Sequence, residues 1–226
     1  MGYLDSKTRI IEFNGLPGSG KTTISQVLGQ YIKKENGMVS FKYFRHWCHD
    51  YTYSMCMSPL YYNRAIRFVK YSRCLEVQQS LRYSLLPLKY IRMYEHFVRD
   101  NKQAELIIDQ GFIQGMISLA HTDLFPREEL LLSLLKTSGL NDLPIVFVNC
   151  KCSLDKTMDR LLTRQAQGSR LQQMNKDELK HAMSVQEQNL TYIRSWVVEV
   201  CPNTKSITID TELSPAYNAE LIMNCL

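Results

Sequence analysis

The sequence predicts a single α/β domain with a five-stranded parallel sheet, helices on both faces and a helical lid. Three observations carry that prediction. Apolar strand-like runs alternate with helical segments along the chain, the pattern of a parallel sheet covered on both sides. A glycine-rich loop stands directly between the first such run and the first helix. At 226 residues and 45% hydrophobic content, the chain is long enough for one sizeable core.

The elements follow in order. "RIIEFN", residues 9–14, reads as the first strand, and an amphipathic helix runs from about Thr22 to Lys34 with Ile24, Val27, Leu28 and Ile32 on one face. "MVSFKYF", residues 38–44, reads as the second strand. A long excursion, residues 45–104, follows it, rich in Tyr, Lys and Arg, and Pro87 divides it into two helices. Within it Arg64, Arg67, Lys70 and Arg73 recur every three residues, a basic stripe read as a solvated face or as a face for an anionic partner. "ELIID", residues 105–109, is the third strand and "PIVFVNC", residues 144–150, the fourth, apolar enough to be buried on both faces. "SITID", residues 206–210, is the fifth, and Ser214 with Pro215 opens the last helix as N-cap and first helical residue.

The bulk numbers exclude several classes. No apolar run approaches the roughly 20 residues of a membrane span, and the N-terminus lacks a signal pattern. Gly2 and Ser6 match the loose myristoylation pattern, which is short enough to arise by chance. Seven cysteines show no framework of pairs, so free thiols in a reducing cytoplasm are expected. The net charge of +5 suits phosphate-bearing ligands. Nucleic acid is not the expected partner, although the same charge would attract it.

"GLPGSGKTT" carries the chemistry. Gly15, Gly20, Lys21 and Thr22 satisfy the spacing G-x-x-x-x-G-K-[ST] between an apolar strand and a helix, where a P-loop must sit. Gly15, Pro17, Gly18, Ser19 and Gly20 form a loop whose amides turn inward, and the helix start at Lys21, Thr22 and Thr23 adds unsatisfied N–H groups and a positive dipole end. Lys21 is placed to meet the β- and γ-phosphates, and the Thr22 hydroxyl to ligate Mg²⁺. The expected ligands are therefore ATP and Mg²⁺; an Asn-Lys-x-Asp run that would read guanine is absent from "NCKCSLD".

Asp109 ends the third strand, which in this architecture usually lies beside the P-loop strand. It is the candidate metal-side carboxylate or base, with turn capping ahead of Gly111 as the plainer reading. After the fourth strand, Arg160 and Arg164 fall four apart on a helix, Gly168 and Ser169 break it, and Arg170 follows. Asn175 with Glu178 reads as a capping box opening the next helix. Arginines beside a hinge suit a lid over phosphates, and a salt-bridged surface helix with Asp155 and Asp159 is the alternative.

"IEFNGLPGSGKTT", "LIIDQGF" and "DRLLTRQAQGSR", in that order, resemble the nucleoside and nucleotide kinases of the thymidylate kinase-like and deoxynucleoside kinase-like groups over most of the chain. That resemblance implies that Lys21 and Thr22 hold triphosphate and Mg²⁺, that Asp109 serves metal or base, and that Arg160, Arg164 and Arg170 belong to the lid. It assigns acceptor binding to the excursion, and kinases of this type are often homodimers through its helices. Two departures stand out. Those families place Arg after the strand-three acid, where this chain has Gln110, which can orient a hydroxyl or water but cannot neutralise charge. After the second strand this chain reads "RHWCHD", so Arg45, His46, His49 and Asp50 suit an acceptor other than thymidine; three adjacent residues, Cys48 to Asp50, rarely converge on one zinc ion. The leading expectation is a small-molecule kinase acting on a nucleoside, nucleotide, sugar or other metabolite. The other is a P-loop NTPase or ATP-dependent binding module in which Gln110 orients water.

Overall fold

A computed structural model describes residues 8–36, 86–100, 104–120, 132, 135–136, 138–164 and 170–226. Four parallel strands form its sheet in the order β2-β1-β3-β4: β1 (Arg9–Asn14), β2 (Glu105–Ile108), β3 (Ile145–Lys151) and β4 (Lys205–Asp210). These are four of the five expected strands, each within a residue or so of its expected bounds. The expected strand at 38–44 lies outside the described residues, as do the basic stripe, Arg45, His46 and the segment from Cys48 to Asp50. The register Arg9↔Glu105 and Ile10↔Ile145 places the P-loop strand between the other two apolar strands.

Pleating decides what each face of β1 carries. Ile11 and Phe13 face α1 (Lys21–Asn36) and α6 (Pro215–Cys225), in a core completed by Ile24, Leu28, Val148 and Ile222. Ile10, Glu12 and Asn14 point the other way. On that side α2 (Leu86–Asp100), α3 (Phe112–Ala120) and α5 (Lys176–Val200) build the larger core around Tyr94, Phe112, Met116 and Ile193. Pro87 is the second residue of α2, in the first turn, where a missing N–H costs nothing.

The caps are where local chemistry requires them. Asn175 Oδ1 accepts from the amides of Asp177 and Glu178, and Glu178 Oε2 accepts from the Asn175 amide, closing the capping box of α5. Ser214 Oγ accepts from the Tyr217 amide, with Pro215 opening α6. One boundary is corrected. The helix expected to form the lid, α4, spans Leu154–Leu162 and ends well before Gly168 and Ser169, which lie outside the described residues. Thr163 ends it by bonding back through its hydroxyl to the Asp159 carbonyl at 2.8 Å. Gln172 then donates to the carbonyl of Leu161 in the last turn and to that of Arg164 beyond it. Arg164 therefore stands two residues beyond the helix and is not on its face.

Candidate functional site

The loop from Gly15 to Gly20 joins β1 to α1 at the C-terminal end of the sheet. Gly18 and Gly20 have φ of 88° and 86°, a region that side chains disfavour. Their surroundings differ. A Cβ at Gly18 would stand 2.5 Å from the Thr157 carbonyl of α4, whereas one at Gly20 would have 3.6 Å of clearance to Arg160 and Thr211. Gly18→Ala is therefore expected to destabilise the protein by about 2–3 kcal/mol and Gly20→Ala by about 1 kcal/mol, read by denaturant unfolding.

Lys21 is buried beneath this loop, and its Nζ donates to the carbonyls of Gly15 and Leu16, each at 2.8 Å. Burial lowers its pKa to about 8, against the attraction of Asp109, while Arg194 and Arg164 add repulsion. Burial also pushes the Cys150 thiol up to about 12, so it remains a neutral wall of the site. Thr22 Oγ1 donates to Asp109 Oδ2 at 2.9 Å. The strand-end acid thus meets the P-loop hydroxyl directly, because β2 is the immediate neighbour of β1.

A cavity of about 900 Å³ opens beside Thr22. Pro17, Gly18, Gly20, Lys21, Thr22 and Thr23 line its floor, Gln110 and Gln114 one wall, and Arg160, Arg164 and residues 211–215 the other. Arg160 is held by Thr211, whose carbonyl accepts from Nη2 at 3.4 Å, and by a long contact from Nη1 to Cys152 Sγ. Glu212 anchors that wall by accepting from the Ser153 amide and Lys156; these bonds hold its carboxyl down at about 2. Ser19 turns away: its buried Oγ lines a second cavity of about 600 Å³ with Leu16, Cys150 and Arg194. Arg170 lies in a 3₁₀ turn, Arg170–Gln173, and its side chain is outside the described residues, as are Arg45 and His46.

The donor set fits a magnesium ion bound with a nucleotide. Thr22 and Asp109 offer two hard oxygen ligands side by side, and Mg²⁺ is usually bound by one or two protein oxygens together with substrate phosphates and water. Among the described residues no group of three His, Cys, Asp or Glu could hold a metal.

Three residues beneath the site have no counterpart in the sequence reading. Glu12 is fully buried in β1; its Oε2 accepts from the Tyr94 hydroxyl at 2.7 Å and its Oε1 from the Ile113 amide at 2.8 Å. Arg194 of α5 donates through Nε to Asn14 Oδ1 at 2.8 Å, bracing the strand end that enters the loop. The available signal was an acid inside "RIIEFN", since a charge in a strand buried on both faces requires partners.

Burial raises the Glu12 pKa to about 7, although its three hydrogen-bond donors favour the charged form. The folded protein thus holds this proton more tightly than the unfolded chain. The stability from Glu12 is complete below the ordinary value of 4.5 and is lost as pH rises through about 7, a difference of about 3 kcal/mol. Glu95 is also raised to about 7, mainly by burial, and titrates in the same window. Glu12→Gln cannot ionise, so its stability should fall less than that of the wild type between pH 5 and pH 8 in denaturant unfolding.

This sheet order, with a P-loop motif after the inner strand β1 and an acid after its neighbour β2, is that of a P-loop α/β fold. The chain is similar to the structure of deoxyadenosine kinase from M. mycoides with bound dATP: TM-score 0.50, 14% identity, covering 96% of this chain and 98% of that one. Structures of that enzyme with bound dCTP, and with the products dCMP and dCDP, match at TM-scores of 0.46 and 0.45 and identities of 17% and 16%. They cover 96% of this chain and 97% of theirs. No protein-family model matches the chain, and no curated protein matches it in sequence. Among the described residues no helix is long and apolar enough to cross a membrane.

Proposed function

We propose that this protein is a Mg²⁺-dependent kinase that transfers the γ-phosphoryl group of ATP to a small-molecule acceptor. One observation carries the reading: Thr22, which bonds to Asp109, lines the same cavity as Lys21, Gln110, Arg160 and Arg164. Phosphoryl transfer requires positioning and charge neutralisation above all, and these groups divide that work. The loop amides and the α1 N-terminus bind the triphosphate. Lys21 leaves the carbonyls of Gly15 and Leu16 for the phosphates, whose charge favours its protonated form. Thr22 and Asp109 would hold a bound Mg²⁺, which would supply charge neutralisation to the transferring group. Asp109 holds or receives the acceptor's proton, Gln110 orients the acceptor hydroxyl, and Arg160 and Arg164 offset charge on the transferring group.

Residues 45–104 take the acceptor and residues 153–175 act as the lid in this reading, with Arg45, His46 and Arg170 as acceptor contacts. A cytoplasmic enzyme, pairing as a homodimer through helices of the excursion, matches it. The bound nucleotides of the similar structures support placing nucleosides first in the acceptor panel, followed by nucleotides and sugars. The test is ATP consumption with Mg²⁺, with and without each acceptor. Acceptor-dependent turnover supports the kinase. Equally fast turnover without any acceptor overturns it and assigns Gln110 to a hydrolytic water.

A further inference from the structure

We propose that Glu12 and Tyr94 form a positioning pair, buried beneath the site, that fixes the turn Asp109–Gly111 and so sets Asp109 against Thr22 and Gln110 in the cavity wall. The proposal rests on the kinase reading for its catalytic consequence but on geometry for its substance. Three elements meet at this point. The Glu12 carboxyl comes from β1, the Tyr94 hydroxyl from α2, and both receive N–H groups from the first turn of α3: Ile113 donates to Glu12 at 2.8 Å and Phe112 to Tyr94 at 3.2 Å. Both side chains are 0% exposed, so water cannot replace either partner.

Gly111 shows how closely the turn is held. A Cβ there would overlap the Tyr94 hydroxyl and the Glu12 carboxyl, so the backbone lies directly on the pair. Two residues upstream, Asp109 Oδ2 accepts from Thr22. The turn is therefore pinned at one end by the buried pair and at the other by the P-loop hydroxyl. A buried acid is costly in a strand where an apolar side chain would fill the same space, so its contribution lies in the bonds it makes to α2 and α3. Tyr94 also belongs to the last helix of the excursion, which links the acceptor side of the molecule to the carboxylate of the metal side.

Tyr94→Phe tests this, because it keeps the ring and removes the hydroxyl. Amide hydrogen exchange at Phe112 and Ile113 in the ligand-free protein should quicken about tenfold, the worth of one buried hydrogen bond. With the best acceptor, kcat should fall about tenfold while KM for ATP stays within about twofold, since the phosphate loop is untouched. Glu12→Gln keeps an oxygen for Ile113 and an amide for Tyr94, and should retain kcat within about threefold of wild type. Faster exchange with unchanged kcat overturns the proposal, as does a joint loss of kcat and ATP affinity that tracks lowered thermal stability. Should the wild type show no acceptor-dependent turnover, the kinase reading fails by itself. The Mg²⁺-dependence of ATP binding by calorimetry then decides: a smaller Mg²⁺ effect in Tyr94→Phe supports the pair, and an unchanged one overturns it.

Discussion

Asp109→Asn is expected to lower acceptor-dependent turnover about 10³-fold while ATP affinity without Mg²⁺ stays within about threefold. Asn keeps the size of the side chain and an oxygen that still accepts from Thr22, so the 2.9 Å contact and the turn survive. What disappears is the negative charge, and with it a strong hard-oxygen ligand and any capacity to take a proton. The loss should therefore appear in kcat and in the Mg²⁺ requirement. Near wild-type turnover in the variant would show that Asp109 only caps the turn. Single-turnover kinetics across a Mg²⁺ series checks both outcomes.

Lys21→Ala is expected to weaken ATP binding about 10²-fold, the value of one to two charge-assisted hydrogen bonds, with little change in thermal stability. The small stability effect follows from opposing contributions. The variant loses two hydrogen bonds to the loop carbonyls but also removes a desolvated ammonium, whose pKa has fallen to about 8. ATP affinity of the wild type should decline as pH rises above about 8, where the free protein gives up the Lys21 proton and binding must restore it. The variant should lack that decline. Calorimetric titrations at pH 7 and pH 9 measure both effects, and a pH slope that persists in Lys21→Ala would place the titrating group elsewhere.

Much of this architecture was readable because its determinants are local. The described strands are short apolar runs, and the capping box at Asn175 and the Ser214–Pro215 start each lie within four residues. The P-loop is legible for the same reason: its chemistry is written in one contiguous stretch. Asp109 was legible as a strand-end acid, and its meeting with Thr22 followed from the strand order. The end of α4 was misplaced because side chains satisfy carbonyls of its last turn, Thr163 that of Asp159 and Gln172, eleven residues on, that of Leu161. Glu12 with Tyr94, 82 residues apart, and Asn14 with Arg194, 180 apart, are brought together only by packing. No periodicity or spacing marks such pairs.

The sheet order also has a consequence for biogenesis. β1 precedes the other described strands, yet its hydrogen-bonding neighbours begin at Glu105 and Ile145. Until those segments have been synthesised, "RIIEFN" has no native strand to pair with, and closing such long loops before any ladder forms is slow. The loop that follows β1 is thus among the last parts of the domain to take its final shape. Its strand remains an exposed apolar edge for most of translation, a natural client for chaperones.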